Sequence, residues 1–342
     1  MIDYAVSTLT LGVIWCIFTY AVNVTWGWTG LLDLAPFLYI AVGAYTYSVI
    51  VGPPPSGGPT VHWILGLQLP FVFGLLAAMV VAAVCGLILG GIALRRLRDD
   101  YFSITTVVAT LTIYAVIAQF VPLFNGYTGV YGVPQPLVKE LNLGPSAYQA
   151  FFLALCAVIL LIVYLVMQRI FTSPYGRLLR AVREDETAAA AFGRNIYRVK
   201  LQAYVIGAIV AGLGGALLAA FLQAFNPYAW NVAETFLIYA AIFVGGSGNI
   251  RGVLLGALFI SVVVQELTRL FVVIPGHPDA AAALRYIIVG VLIIAVLWKR
   301  PQGLVPEPRD HDPDAPPDLE APEAGAPAVS GGPGVTGARA NG

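Results

Sequence analysis

Residues 147–222 read AYQAFFLALCAVILLIVYLVMQRIF, TSPYGRLLRAVREDETAAAAFGRNIYRVK and LQAYVIGAIVAGLGGALLAAFL, divided before Thr172 and before Leu201. The two outer runs are apolar, and each is long enough to cross a bilayer, which takes about 20 residues. The middle segment holds nine charged residues. This segment is therefore a place where a membrane-embedded chain can meet a soluble partner.

The rest of the chain repeats the apolar pattern. It has 342 residues, of which 59% are hydrophobic and 11% are charged, and a soluble domain carries about 25% charged residues. The composition predicts an all-α, polytopic helical membrane protein with about nine spans (8–10), some of them short or broken. We place these spans at 4–24, 28–50, 66–94, 101–121, 147–171, 201–222, 235–247, 252–273 and 285–298.

Basic residues are sorted to one side of these spans. Before residue 307 the chain has 16 Lys and Arg, and 13 of them fall in loops on the same side: Arg95, Arg96, Arg98, Arg169, Arg177, Arg180, Arg183, Arg194, Arg198, Lys200, Arg251, Lys299 and Arg300. Cytoplasmic loops carry an excess of Lys and Arg. The sequence therefore predicts that this side is cytoplasmic and that the N-terminus lies outside. No basic stripe is interleaved with exposed aromatic residues, so nucleic-acid binding is not expected.

The charged segment has the signals of two short helices. Pro174 suits the first turn of one helix, and Asp185 suits the N-cap of a second, Glu186–Phe192. Gly193 then permits the left-handed turn that ends it. An ordered pair of helices favours a docking element, and an interfacial amphipathic loop remains the alternative.

Several motifs in this order resemble the branched-chain amino-acid ABC transporter permeases of the LivM-like subfamily. The resemblance covers roughly residues 25–305. It is carried by Ser173-Pro-Tyr-Gly-Arg with Arg180-Ala-Val-Arg-Glu, Ala211-Gly-Leu-Gly-Gly-Ala-Leu, Gly30-Leu-Leu, Gly43-Ala-Tyr-Thr, Gly248-Asn-Ile-Arg-Gly and Arg300-Pro-Gln-Gly-Leu.

The resemblance implies a membrane subunit of an ATP-driven importer in the bacterial inner membrane, moving branched-chain or related amino acids. It implies a second homologous permease, two cytoplasmic ATPase subunits and an extracytoplasmic substrate-binding protein. The chain has no GxxxxGK[ST] phosphate loop, so we expect no enzyme activity of its own, and no cofactor or metal. Residues implied in coupling to the ATPase are Arg177, Arg180, Arg183, Glu184, Asp185, Glu186 and Gly193.

Two regions follow from this assignment. Residues 1–305 are the expected transmembrane permease domain, with the coupling loop at 172–200. Residues 306–342 are rich in Pro, Ala and Gly, with seven acidic residues from Glu307 to Glu323. Such a composition cannot bury a core and predicts a disordered cytoplasmic tail.

Candidates for the translocation pathway lie in broken or polar parts of the spans. They are Asp33, Gly43, Tyr45, Glu234, Gly245, Gly246 and Glu266. Five of them have a simpler alternative: Asp33 caps a half-helix that starts at Leu34, the three glycines pack helices together, and Glu266 pairs with Arg269.

Two other functions stay open on the sequence. Permeases for urea or short amides share these loops. A stand-alone secondary transporter or channel is the second alternative, but such carriers hold ionisable residues at mid-membrane, and this chain has almost none there.

Overall fold

The computed structural model describes residues 2–54, 63–96, 99–229, 232–264, 279–300 and 302–306. The helices in these residues are α1 Ile2–Val22, α2 Pro36–Val51, α3 Phe71–Arg96, α4 Asp99–Gln119, α5 Val121–Phe124, α6 Val138–Leu141, α7 Pro145–Thr172, α8 Pro174–Glu184, α9 Glu186–Ala191, α10 Ile196–Leu222, α11 Val232–Gly245, α12 Ile250–Leu258 and α13 Asp279–Lys299. The strands β1 Val130–Tyr131 and β2 Ala224–Phe225 pair antiparallel.

The predicted fold class is confirmed, including the broken helices. Within the described residues, five helices are long and apolar enough to cross a membrane, and they include α3, α7 and α10. Shorter apolar helices include α2 and α11. Helix α1 continues as a π-helical turn at Asn23–Gly27, and α12 continues as one at Phe259–Val264. The number of spans stays a prediction.

Some predicted spans have different bounds in the structure. The span 28–50 begins as a helix only at Pro36, after an irregular segment at residues 30–35. The span 66–94 begins as a helix at Phe71 because the turn before it has a positive φ at Gln68 and is followed by Pro70. Helix α3 then runs without a break, so the long apolar run is one helix.

The centre of the fold is a close packing of α2, α3 and α10, with α1 against α10 and α7. Small residues let the helix backbones approach. A Cβ at Gly43 would overlap the carbonyl oxygen of Gly212, and a Cβ at Gly215 would overlap that of Ile40. Ala208 and Gly86 make a similar contact between α10 and α3.

The helices meet at two ends of different character. At the end with few charged residues, which we call the neutral end, three segments that connect helices pair with one another. Strand β1 pairs with β2, and Trp63 forms a β-bridge with Phe124. The connection between α4 and α7 carries two further short helices, α5 and α6. At the basic end lie α8, α9 and the start of α12, together with residues 302–306.

Residues 302–306 attach to the turn between α11 and α12. The N–H groups of Leu304 and Val305 donate to the carbonyls of Val244 and Gly245, at 2.9 and 3.1 Å. Residues 307–342 lie outside the described residues, so the disordered acidic tail stays a prediction.

Candidate functional site

The charged segment folds as the two predicted short helices, which we call the hairpin (residues 173–195). Ser173 caps α8 by accepting the N–H of Gly176 at 3.3 Å, and Pro174 is the first helical residue. Asp185 caps α9, where its Oδ1 accepts the N–H groups of Thr187 and Ala188 at 2.8 and 3.0 Å. These predictions are confirmed.

The cap at Asp185 has an electrostatic consequence. The Thr187 hydroxyl donates to Oδ1 at 2.6 Å. Three hydrogen bonds lower the pKa of the Asp185 carboxyl. The bond from the Thr187 hydroxyl has the largest effect, and the N–H groups of Ala188 and Thr187 donate the other two. The group therefore stays ionised at neutral pH, which favours the start of α9.

The hairpin ends in an ordered turn that leads directly into α10. Gly193 has φ +78°, the left-handed conformation predicted for it. The N–H of Gly193 donates to the carbonyl of Ala190 at 2.9 Å. Asn195 then caps α10 by accepting the N–H of Arg198 at 3.1 Å. Both junctions of the hairpin are thus fixed by caps, as expected of a rigid element.

The inner side of the hairpin is anchored to the break after α1. Leu179 and Val182 are buried there. The Arg183 guanidinium donates from Nη1 to the carbonyl of Gly27, in the π-helical turn that ends α1. Gly30 has φ +70°, and a Cβ there would lie 3.2 Å from Arg183 Cγ. The stem of Arg183 thus packs on this break while its charged group binds the carbonyl at the end of the helix.

Two further contacts hold the hairpin to α7 and α10. The Arg180 guanidinium lies 4.6 Å from the centroid of the Phe171 ring, a cation–π contact. The Phe171 ring in turn packs 5.5 Å from that of Trp28. Lys200, whose side chain is 7% exposed, forms an ion pair with Glu186. Arg180, Arg183 and Glu186 therefore attach the hairpin to the membrane domain.

The outer side of the hairpin is the part that a soluble partner can reach. Of the predicted coupling residues, four are exposed: Arg177, Glu184, Asp185 and Gly193. Phe192 was not singled out from the sequence, and its side chain is 87% exposed at the tip. The sequence does carry a signal for Phe192: it is an aromatic residue in a charged loop, directly before the glycine that ends the helix.

The break after α1 is held from a second direction by α4. The Ser103 hydroxyl donates to the carbonyl of Leu32 at 2.8 Å, and the N–H of Leu34 donates to Thr106 Oγ1 at 3.1 Å. Residues 27–35 thus connect the hairpin on one side to α4 on the other. We call this segment the hinge segment.

Asp33 lies at the centre of the hinge segment and is 3% exposed. Its Oδ1 accepts the N–H of Ala35 at 2.9 Å and the Tyr204 hydroxyl at 3.5 Å. The Tyr39 hydroxyl donates to that of Tyr204 at 2.7 Å, and the Tyr239 hydroxyl donates to the Asp33 carbonyl. The carboxylate is therefore enclosed by side chains of α2, α10 and α11.

The capping role predicted for Asp33 needs a correction. Helix α2 starts at Pro36 rather than at Leu34, its N-cap is Ala35, and no side chain caps it. The Asp33 side chain instead bonds two residues ahead, in a turn before the helix. Pro36 lacks an N–H, so the helix can begin there with one fewer unsatisfied donor.

This geometry predicts a structural role that a pair of substitutions can test. Asp33→Ala leaves the Ala35 N–H and the Tyr204 hydroxyl without that acceptor, at a cost of about 1–3 kcal/mol for each buried group. Asp33→Asn keeps the acceptor oxygen. We expect thermal unfolding in detergent to shift downward for the alanine variant, and uptake to survive in the asparagine variant. Loss of uptake in a normally stable Asp33→Asn protein would instead indicate a charge that meets the substrate.

The glycines among the pathway candidates lie in tight packing. Gly43 contacts the Gly212 backbone across α2 and α10. A Cβ at Gly245 would overlap the carbonyl of Gly252, and Gly246 has φ +111° beside the carbonyl of Val305. Packing is sufficient to explain these residues, and a role in the pathway stays a prediction for them.

The remaining candidates lie apart from one another. Tyr45 is buried near the neutral end, where its ring stacks on Phe124 with centroids 4.5 Å apart and meets Phe225 edge-on at 5.0 Å. Glu234 is half-buried in the first turn of α11. Glu266 lies outside the described residues. The structure thus places Asp33 in the hinge segment, which the hairpin contacts at Gly27, and Tyr45 near the neutral end.

Comparison with known proteins gives a consistent result. The permease protein LivM of Escherichia coli K12 is 30% identical over 89% of this chain and 70% of its own length. The LivH permease of the same strain is 25% identical over 88% of this chain and 94% of its own length. The probable LivM of Methanocaldococcus jannaschii is 28% identical over 81% of each chain.

No solved structure matches the chain. The family model described as "Branched-chain amino acid transport system / permease component" matches residues 4–297, which includes the hinge segment, the hairpin and the helices that they contact. The chain therefore belongs to the family of branched-chain amino acid transport permeases, which are integral membrane components of transport systems.

Proposed function

We propose that this chain is one of two permease subunits in an ATP-driven importer of the bacterial inner membrane. Its substrate is a branched-chain or related amino acid. Two cytoplasmic ATPase subunits drive the cycle, an extracytoplasmic binding protein delivers the substrate, and ATP hydrolysis takes place in the separate subunits. The named systems of the relatives support this class of substrate.

The observation that carries the proposal is the two-sided construction of the hairpin. Caps at Ser173, Asp185 and Asn195 make it rigid. Its inner side is bonded to the hinge segment through Arg183, and its outer side presents Phe192. A rigid element whose outer side is bound by a partner can transmit the motion of that partner to the spans that the element contacts.

Phe192 is the proposed anchor for the ATPase. Exposed aromatic residues that insert into a partner are typical hot spots, and truncating one costs at least about 2 kcal/mol, or roughly 30-fold in affinity. We expect Phe192→Ala to reduce the ATPase that copurifies with the assembled transporter by a similar factor. The measurement is quantitative mass spectrometry of the purified complex.

Tyr228 supplies a matched control. It is 73% exposed at the neutral end, which the positive-inside bias places on the other side of the membrane. Tyr228→Ala should leave copurified ATPase unchanged. Equal ATPase recovery from wild type and Phe192→Ala would contradict the assignment of the anchor, and absence of any ATPase with the wild-type chain would contradict the proposed function.

A further inference from the structure

A pocket lies on the outer surface of the helix bundle, between α3, α10 and the start of the hairpin. Its volume is about 350 Å³, within the range of ~300–1,000 Å³ that is typical of small-molecule sites. The residues that line it are Leu87, Tyr175, Leu201, Gln202, Val205 and Ile206. We call it the side pocket. Because Leu87 is exposed on a helix apolar enough to span a membrane, the side pocket is open towards the bilayer.

The side pocket lies close to the basic end of the bundle. Helix α3 ends there, and α10 begins there. The Tyr197 hydroxyl donates to the Gly91 carbonyl at 3.3 Å, and the Tyr175 hydroxyl donates to the Val199 carbonyl at 3.4 Å. Tyrosines are enriched where a protein crosses from lipid tails to headgroups. The side pocket therefore begins at the headgroup level and extends into the layer of the tails.

One face of α10 becomes less polar along the side pocket. Arg198, Gln202 and Val205 follow at intervals of four and three residues, so they share this face. Arg198 and Gln202 are exposed, and Val205 is half-buried. At 1.5 Å per residue, Gln202 lies about 6 Å and Val205 about 10 Å further along the helix than Arg198. Charge, amide and aliphatic chain thus occur in the order of the phosphate, ester and tail of a phospholipid.

The charge at the mouth of the side pocket is basic. Among the described residues, no side chain bonds the Arg198 guanidinium or the Gln202 amide. Lys200 differs, because it is buried and paired with Glu186. Arg194 is also exposed, one turn before Arg198 in the sequence. Basic residues at the membrane surface attract anionic lipids, and an amide beside lipid tails is costly without a partner.

We propose that the side pocket binds one anionic phospholipid. Its phosphate lies at Arg198, its ester groups lie at Gln202, and one acyl chain fills the space between Leu87 and Val205. A zwitterionic lipid fits the same space, but its ammonium group gains nothing from the arginines, so the site selects the anionic headgroup. This inference goes beyond the proposed function, because it needs only that the chain lies in a membrane.

The bound lipid would support the hairpin. Tyr175 is in the first turn of α8 and forms one wall of the side pocket, and the opposite walls belong to α3 and α10. A lipid in the side pocket therefore contacts the hairpin and the membrane helices at the same time. We expect anionic lipid to raise the thermal unfolding temperature of the chain, since a ligand that binds only the folded state stabilises it.

Native mass spectrometry of the purified transporter complex tests the site. The complex is stripped of lipid and titrated with phosphatidylglycerol or phosphatidylcholine that carry the same acyl chains. We expect wild type to retain phosphatidylglycerol preferentially. Arg198→Ala should weaken that binding about fivefold, the effect of one basic residue on an anionic lipid. Arg251→Ala is the matched control, because Arg251 is an exposed arginine on α12, which packs against α1, α7 and α11.

A second pair of variants tests the apolar part of the side pocket. Leu87→Phe places a ring in the space for the acyl chain, and we expect it to abolish retention of phosphatidylglycerol. Ile92→Phe is its control, because Ile92 is exposed on another face of α3, five residues further on. Both positions are exposed, so both proteins should fold. Normal unfolding temperatures without added lipid check this.

Three results would overturn the proposal. The first is equal retention of the two lipids by wild type, which would show that the arginines select no headgroup. The second is unchanged retention in Arg198→Ala and Leu87→Phe, which would place bound lipid elsewhere. The third is no retained lipid at all, as expected if a partner chain covers the side pocket. Each leaves the proposed function standing, since ATP-driven uptake is measured separately.

Discussion

Replacing Arg183 by alanine is expected to lower ATP-driven uptake about tenfold while the ATPase subunits stay bound, because a hydrogen bond from a charged group contributes about 1.5–3 kcal/mol. The change removes the contact between the hairpin and the Gly27 carbonyl. It leaves the exposed Phe192 in place. The measurement is uptake and ATP hydrolysis by the same proteoliposomes, and hydrolysis should continue without matching transport.

The comparison with Phe192→Ala makes this result specific. That variant should lose ATPase subunits, whereas Arg183→Ala should keep them and lose only the link to uptake. Arg183→Lys is a useful intermediate, since it keeps the charge but changes the donor geometry. If Arg183→Ala transported normally, the hinge segment would not be the route by which the hairpin acts.

The second large effect is expected at the glycines between α2 and α10. A Cβ at Gly215 would overlap the Ile40 carbonyl, and one at Gly43 would overlap that of Gly212. Both obstacles are backbone atoms, which cannot rotate away. Overpacking of this kind costs about 1–3 kcal/mol or more, so Gly215→Ala should lower the unfolding temperature and the yield of detergent-extracted protein.

Gly91 provides the control for that substitution. It also lies in a helix, α3, but the nearest atom to an added Cβ is Tyr197 Oη at 3.9 Å. Alanine favours a helix over glycine by about 1 kcal/mol. Gly91→Ala should therefore be neutral or stabilising. Equal loss of stability in both variants would show that helix approach is not what selects glycine at position 215.

Local signals in the sequence were sufficient for the hairpin. The N-cap at Asp185, the proline at the start of α8 and the left-handed Gly193 all follow from rules that act over three or four residues. The helical class and the short α11 followed from the length of apolar runs. These features need no information about distant parts of the chain.

Contacts between distant residues could not be read in the same way. Arg183 was expected only as a candidate for coupling to the ATPase, yet it bonds Gly27, 156 positions away in the chain. Asp33 looked like a helix cap, yet Pro36 sets the helix start and Tyr204 reaches the carboxylate from α10. Periodicity shows which face of a helix is apolar, but not which helix covers it.

The central claim is that a separate ATPase drives this permease through the hairpin. Its most direct test is uptake of a radiolabelled branched-chain amino acid by proteoliposomes that contain the purified complex and its binding protein, with and without enclosed ATP. The account predicts uptake only with ATP, and none from liposomes that contain this chain alone. Uptake by the isolated chain without ATP would contradict it.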